Sequence, residues 1–215
     1  PRMASLTKTQ AGAGTIDRQV EILLRSKQAF AQKGFDGASM QDLARAAGMS
    51  AGNFYRYFPS KDAIIVALVG LELAQIEATF TNIIRSPDPL TAFLDNIEER
   101  LAELANENTG AIWAEIEAGA RRRGPVGLAL DQLMTAIHDR QMRLFSHISG
   151  LPLDVVAERF GAQADLILLL IRGAGMTTCT SHSPRSTPQD NAALHTLILH
   201  TIRSLLVEIA SQKRS

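Results

Sequence analysis

The chain has 215 residues, 46% hydrophobic and 20% charged, with 22 Lys/Arg balancing 22 Asp/Glu, which fits one large or two small globular domains and excludes a disordered or fibrous chain. Its longest unbroken apolar runs, 63–71 and 166–171, fall well short of the roughly 18 residues of a membrane-spanning helix, and the opening residues lack the apolar centre of a secretory signal. A single cysteine, Cys179, excludes an intramolecular disulfide, so the expected compartment is the cytoplasm, with no membrane partner.

The balanced charge hides an asymmetry. Residues 1–61 carry nine Lys/Arg against four Asp/Glu, a net +5, and the remainder carries thirteen against eighteen, a net −5. A small basic piece joined to a larger acidic one points to a polyanionic partner for the first piece only. The expected organisation is a flexible tail over 1–14, a small basic domain over 15–61 and a larger domain over 62–215.

Almost every segment has the 3.6-residue period of an amphipathic helix and none alternates as a strand, so the expected fold class is all-α. Asp17 is a possible N-cap for a first helix that places Ile22, Leu23, Ser26 and Phe30 on one face and stops at Gly34. Ser39 opens a short helix through a capping-box pattern with Asp42, and that helix ends at Gly48. Ser50 opens a second short helix that ends before Pro59, and Ser60 caps a long apolar helix running into the eighties. Further helices are expected over about 89–107, 110–122, 125–149, 153–178 and 190–211, with 180–190 as the one clear loop.

Two short capped helices joined by "AGMS" (47–50) form a helix-turn-helix, whose second helix enters the DNA major groove with its N-terminal residues nearest the base edges. That explains "SAGNFYRYF" (50–58), which combines small residues with four aromatics. Ala51 and Gly52 permit close approach, and Asn53 offers an amide that pairs bidentately with adenine. Tyr55 and Tyr57 point to opposite flanks, where their hydroxyls suit phosphate oxygens. Phe54 and Phe58 share a face at i and i+4 and anchor the helix towards Phe30 and Leu43.

The stretch "SMQDLARAAGMSAGNFYRYFPSKDAI" (39–64), extended back through "RQVEILLRSKQAFAQKGF" (18–35), resembles the DNA-binding signature of the TetR family of transcriptional repressors. The resemblance rests on the spacing of Gly34, Ser39, Ala44, Gly48, Tyr55, Phe58 and Lys61. It implies an N-terminal three-helix DNA-binding domain, a C-terminal helical domain with a ligand pocket, and dimerisation through the last two long helices. By the same resemblance Ser39, Tyr57 and Lys61 contact phosphates, Gly52, Asn53 and Tyr55 lie at or near base edges, and Ser50 caps the helix and touches phosphate. Arg25 and Ser26 depart from the family, which usually has two alanines there. Arg56 faces the DNA at a position where residue type varies freely, so it names no base.

In the larger piece, Met134, His138, Met142 and Phe145 recur at steps of four, four and three and form one stripe. With Phe93, Ile97, Trp113 and Glu117 they outline a pocket for a small-molecule effector, although core packing alone explains such a stripe. A buried Glu117 needs a partner or a cationic ligand. The last two helices carry more apolar surface than one side of a monomer can bury. Leu166, Leu170 and Gly173 on one, with Leu194, Ile198, Thr201 and Leu205 on the other, are the expected homodimer interface. Arg172 within that run requires a carboxylate, a carbonyl or a place at the rim, and Arg121 to Arg123 read as a solvated helix end.

Enzymatic readings find no reacting groups: HExxH, GxxxxGK[ST], GxSxG and GxGxxG are absent from the sequence. No Glu is followed three residues later by His, and His195 and His200 do not share a helical face, so no catalytic residue, metal site or cofactor is expected. A helix-turn-helix used only to bind protein is disfavoured by the +5 charge and the small-residue start of the second helix. The expected function is a ligand-responsive repressor that binds a palindromic double-stranded operator as a homodimer.

Overall fold

The computed structural model describes residues 18–30, 32–35, 37–105, 107–121, 124–178 and 188–212; among them are nine helices and no strand. They are α1 (18–30), α2 (Met40–Ala46), α3 (Ala51–Tyr57), α4 (Lys61–Arg85), α5 (Pro89–Leu104), α6 (Glu107–Ala120), α7 (Pro125–Ser149), α8 (Leu153–Thr178) and α9 (Pro188–Ser211). The expected tail 1–14, the cap Asp17, Cys179, Arg122, Arg123 and most of the loop 180–190 lie outside the described residues. The chain divides into two compact units, residues 1–68 and 69–215, with the boundary inside α4.

Local chemistry sets the ends of the short helices in the first unit. Ser39 Oγ accepts from the backbone N–H of Asp42 at 3.1 Å while Asp42 Oδ2 accepts from the backbone N–H of Ser39 at 3.0 Å, a complete capping box. At the other end of α2, Gly48 N donates to Arg45 O at 3.0 Å and Met49 N to Ala44 O at 2.9 Å. These are the two bonds of a Schellman stop, and they require the left-handed φ of 66° that Gly48 adopts. Ser50 and Ser60 then cap α3 and α4, accepting from Asn53 N at 3.4 Å and Ala63 N at 3.1 Å.

Ile22, Leu23, Ser26 and Phe30 of α1 are all buried, as their spacing requires, together with Leu43, Phe54, Phe58 and Ile64. The unusual Ser26 is accommodated by its own helix, because its Oγ donates to Ile22 O at 2.8 Å and leaves no orphan hydroxyl in the core. Arg25 stays outside, paired with Glu21 at 3.0 Å.

In the second unit α7 packs between α6 and α8, and α9 packs on α5, α7 and α8. Its core runs from Phe80 and Ile83 through Phe93, Leu101, Phe145 and Ile167 to Ile202 and Leu206. Asp88 caps α5 by accepting from Thr91 N at 3.1 Å, with Pro89 in the first turn. That helix ends at Leu104 rather than 107, and α6 begins at Glu107 rather than 110. α4 and the Ala192–Ser211 part of α9 are long and apolar enough on average to cross a membrane. In α4, however, Glu72 pairs with Arg100 and Glu77 with Arg140, so its carboxylates are held by neighbouring helices.

Candidate nucleic-acid interface and effector cavity

α3 separates its residues by azimuth. Phe54 and Phe58 are 0% and 2% exposed with ring centroids 6.0 Å apart, which holds one side of the helix on the core of the first unit. Gly52, Asn53, Tyr55 and Arg56 face outward, and Ser50 is exposed at the cap. A Cβ at Gly52 would meet nothing within 4 Å, so no packing within the described residues requires glycine there. Ala51 and Tyr57 are half-buried flanks of the same surface.

Two basic side chains behave differently from a solvated cation. Lys61 Nζ donates to Phe35 O at 2.8 Å and lies 4.8 Å from the Phe35 ring centroid, so it ties the start of α4 to the loop after α1. Lys33 Nζ donates to Asp42 Oδ1 at 2.6 Å. That bond, then the hydroxyl and backbone N–H of Ser39, holds the Asp42 carboxyl well below the usual carboxylate range. Arg45, with a side chain 77% exposed, stands near the same carboxylate at 3.4 Å and adds positive charge on α2 that the sequence reading passed over. Its place in the last turn of a bracing helix is the signal that would have found it.

The second unit contains a cavity of about 290 Å³. Phe93, Ile97, Trp113, Glu117 and Met134 line it, as the sequence pattern suggested. His138 and Met142 do not: His138 Nδ1 lies 3.1 Å from Asp165 Oδ1 on α8, and Met142 is buried in the core. The α7 residues that reach the cavity are Leu133, Met134, Ile137 and Gln141. At about 100° per residue the arc from 133 to 141 lies to one side of Met134, and the arc through 138 and 142 lies to the other. The stripe therefore straddles cavity and core.

Glu117 has its partner. Arg172 Nε donates to Glu117 Oε1 at 2.8 Å and Nη2 to Oε2 at 2.6 Å, so one pair answers both questions the sequence posed. Arg100 donates to Glu103 at 3.0 Å and lies over Trp113, 5.1 Å from its ring centroid. Gln141, missed by the sequence reading, is 1% exposed, and its Oε1 has no hydrogen-bond partner among the described residues.

The expected interface residues divide. Leu166 is exposed, Gly173 is half-buried with open space at its Cβ position, and Thr201 is half-buried. Leu170, Leu194 and Leu205 are half-buried against the chain's own core. Ile198 is a correction: at 4% exposure it belongs to that core, because α9 is apolar on two arcs and its inner arc includes 198 and 202. Leu169, Leu197 and Val207, at 65%, 62% and 54% exposure, form the outer apolar surface instead.

Residues 22–68 match the family described as bacterial regulatory proteins, tetR family. The transcriptional regulator EthR of Mycolicibacterium smegmatis is 34% identical over 102 residues, 44% of this chain and 47% of that protein. The chain spans about half the length of the curated relatives it matches. Among solved structures, a TetR-family transcriptional regulator from Mesorhizobium loti is similar with a TM-score of 0.62 and 21% identity, over 90% of this chain and 96% of that one. The transcriptional regulator FadR from Bacillus subtilis, in complex with stearoyl-CoA, is similar with a TM-score of 0.63 and 18% identity over 86% and 97%. Residues 22–68 thus match the tetR family of bacterial regulatory proteins, and over nearly its whole length the chain has the fold of TetR-family transcriptional regulators.

Proposed function

We propose that this protein is a ligand-responsive repressor that binds a palindromic DNA operator as a homodimer and leaves it when a small molecule enters the cavity of its second unit. In this reading residues 15–61 meet DNA and residues 62–215 bind the effector and dimerise, in the cytoplasm where the DNA is. The single observation that carries it is the outward set Gly52, Asn53, Tyr55 and Arg56 on a helix held down by Phe54 and Phe58. Asn53 reads a base edge; Tyr55, Tyr57, Ser39 and Ser50 contact phosphate, and Arg45 adds a phosphate contact on the bracing helix. Lys61 acts at the edge of this surface, partly through its bond to Phe35.

The exposed Leu166, Leu169, Leu197 and Val207 support a two-fold four-helix interface. The two α3 helices of such a dimer enter successive major grooves when they lie about 34 to 36 Å, or a multiple, apart. An effector that favours a dimer of different separation weakens DNA binding without touching DNA. The cavity in the second unit, and the acyl-CoA held by FadR in the same fold, support a small-molecule effector.

Selection of genomic fragments by the purified protein, followed by fluorescence anisotropy on the winners, tests the reading. A palindromic consensus is expected, with affinity falling steeply between 50 and 200 mM salt. Equal affinity for selected and random fragments would remove operator recognition.

A further inference from the structure

Among the described residues, the buried part of the cavity lining is apolar except at one point. Phe80, Phe93, Ile97, Leu104 and Leu133 offer no hydrogen-bond donor, and among them sits Gln141, 1% exposed, with Oε1 unpartnered among the described residues. A buried amide oxygen without a donor is destabilising, and a folded protein keeps few of them. The soft terminal torsion of glutamine lets this oxygen turn towards a donor placed in the cavity. A missing donor on the protein side is what a ligand's hydroxyl or N–H supplies.

Charge at the cavity narrows the choice. Among the described residues, Glu72, Glu99, Glu103 and Glu117 line it against Arg100 and Arg172 only. Both guanidinium groups are already engaged, Arg172 by Glu117 and Arg100 by Glu103 and Glu72. An anionic ligand must therefore share a guanidinium with a protein carboxylate and sit among four glutamates, whereas a neutral or cationic one meets no such competition. The volume of about 290 Å³ is that of about ten waters.

We propose that the cavity takes a mostly apolar, neutral or cationic molecule of about ten non-hydrogen atoms that donates an O–H or N–H hydrogen bond to Gln141 Oε1. This rests on the reading of the cavity as the effector site, and it names the ligand class and the residue that selects it. Trp113, the chain's only tryptophan, lines the cavity and so reports its occupancy directly by fluorescence, without DNA.

Three probes of one shape test it with the full chain: 4-phenylbutan-1-ol, pentylbenzene, in which methyl replaces hydroxyl, and 4-phenylbutanoate. The alcohol is expected to perturb Trp113 saturably, and the carboxylate to bind roughly tenfold more weakly. In Gln141→Met the affinity ratio of alcohol to pentylbenzene is expected to fall roughly three- to tenfold. An unchanged ratio, a carboxylate that binds as tightly as the alcohol, or no binding by any probe overturns the proposal. Should Gln141→Met lose its fold, the wild type is titrated with 1-methoxy-4-phenylbutane, which keeps the oxygen and loses the donor. Weaker binding of the ether then supports the proposal, and equal or tighter binding overturns it. Alcohol binding that depends on Gln141 but does not release DNA leaves this inference standing and overturns the regulatory reading instead.

Discussion

Arg172 on α8 and Glu117 on α6 meet as a bidentate ion pair, with both bonds at 2.8 Å or less, although 55 residues separate them in the chain. In the linear sequence each is an anomaly, an arginine inside an apolar helix and a carboxylate on the face of Trp113. Together they join two walls of the cavity. Arg172 is 41% exposed, so solvent screens the pair and its coupling is expected to be about 1 kcal/mol or less. A double-mutant cycle of Glu117→Ala and Arg172→Ala in urea unfolding measures this, and strictly additive losses would contradict the pairing.

Acid sensitivity should be concentrated at the entrance to α2. The Asp42 carboxyl is depressed below its ordinary 3.8, first by the Lys33 bond and then by Ser39. A group whose folded-state pKa is depressed stabilises the fold above its ordinary value, and that stabilisation is lost as pH falls through the folded-state value. The melting temperature of the wild type is therefore expected to drop more steeply below roughly pH 4 than that of Asp42→Asn, which keeps a capping side chain. Parallel acid limbs in the two proteins would show that Asp42 is not the cause.

Adjacent positions on α9 should separate folding from assembly. Ile198→Ala opens a cavity in the core and is expected to cost about 2 to 4 kcal/mol in chemical unfolding. Leu197→Arg, at a position 62% exposed in the single chain, is expected to leave the protomer folded and shift it to monomer in light scattering. A Leu197→Arg variant that remains dimeric would move the interface elsewhere.

On the DNA side, Asn53→Ala should reduce discrimination at one base pair by roughly 1 to 3 kcal/mol, while Tyr55→Phe should weaken all sequences alike. Lys61→Ala is expected to lower both DNA affinity and the melting temperature, because its ammonium also holds Phe35 O. Anisotropy titrations on selected and random DNA, paired with thermal melts, distinguish these cases. Equal losses on both DNAs for Asn53→Ala would remove it from base reading.

The sequence by itself determined the helical class, the capped pair α2 and α3, the stop at Gly48 and the division of α3 between Phe54 and Phe58 on one side and Asn53 and Tyr55 on the other. Capping, left-handed glycine and i,i+4 spacing act within one or two turns, so local residues suffice to specify them. Only the tertiary structure decided which arc of an apolar helix faces which neighbour. It sent His138 to Asp165 and Met142 to the core, put Ile137 and Gln141 on the cavity, exchanged Ile198 for Leu197 on the outer face, and brought Lys61 to Phe35 and Arg172 to Glu117. Rotating a helix by one residue changes its partners without changing its periodicity, and that rotation is set by packing between segments distant in the chain.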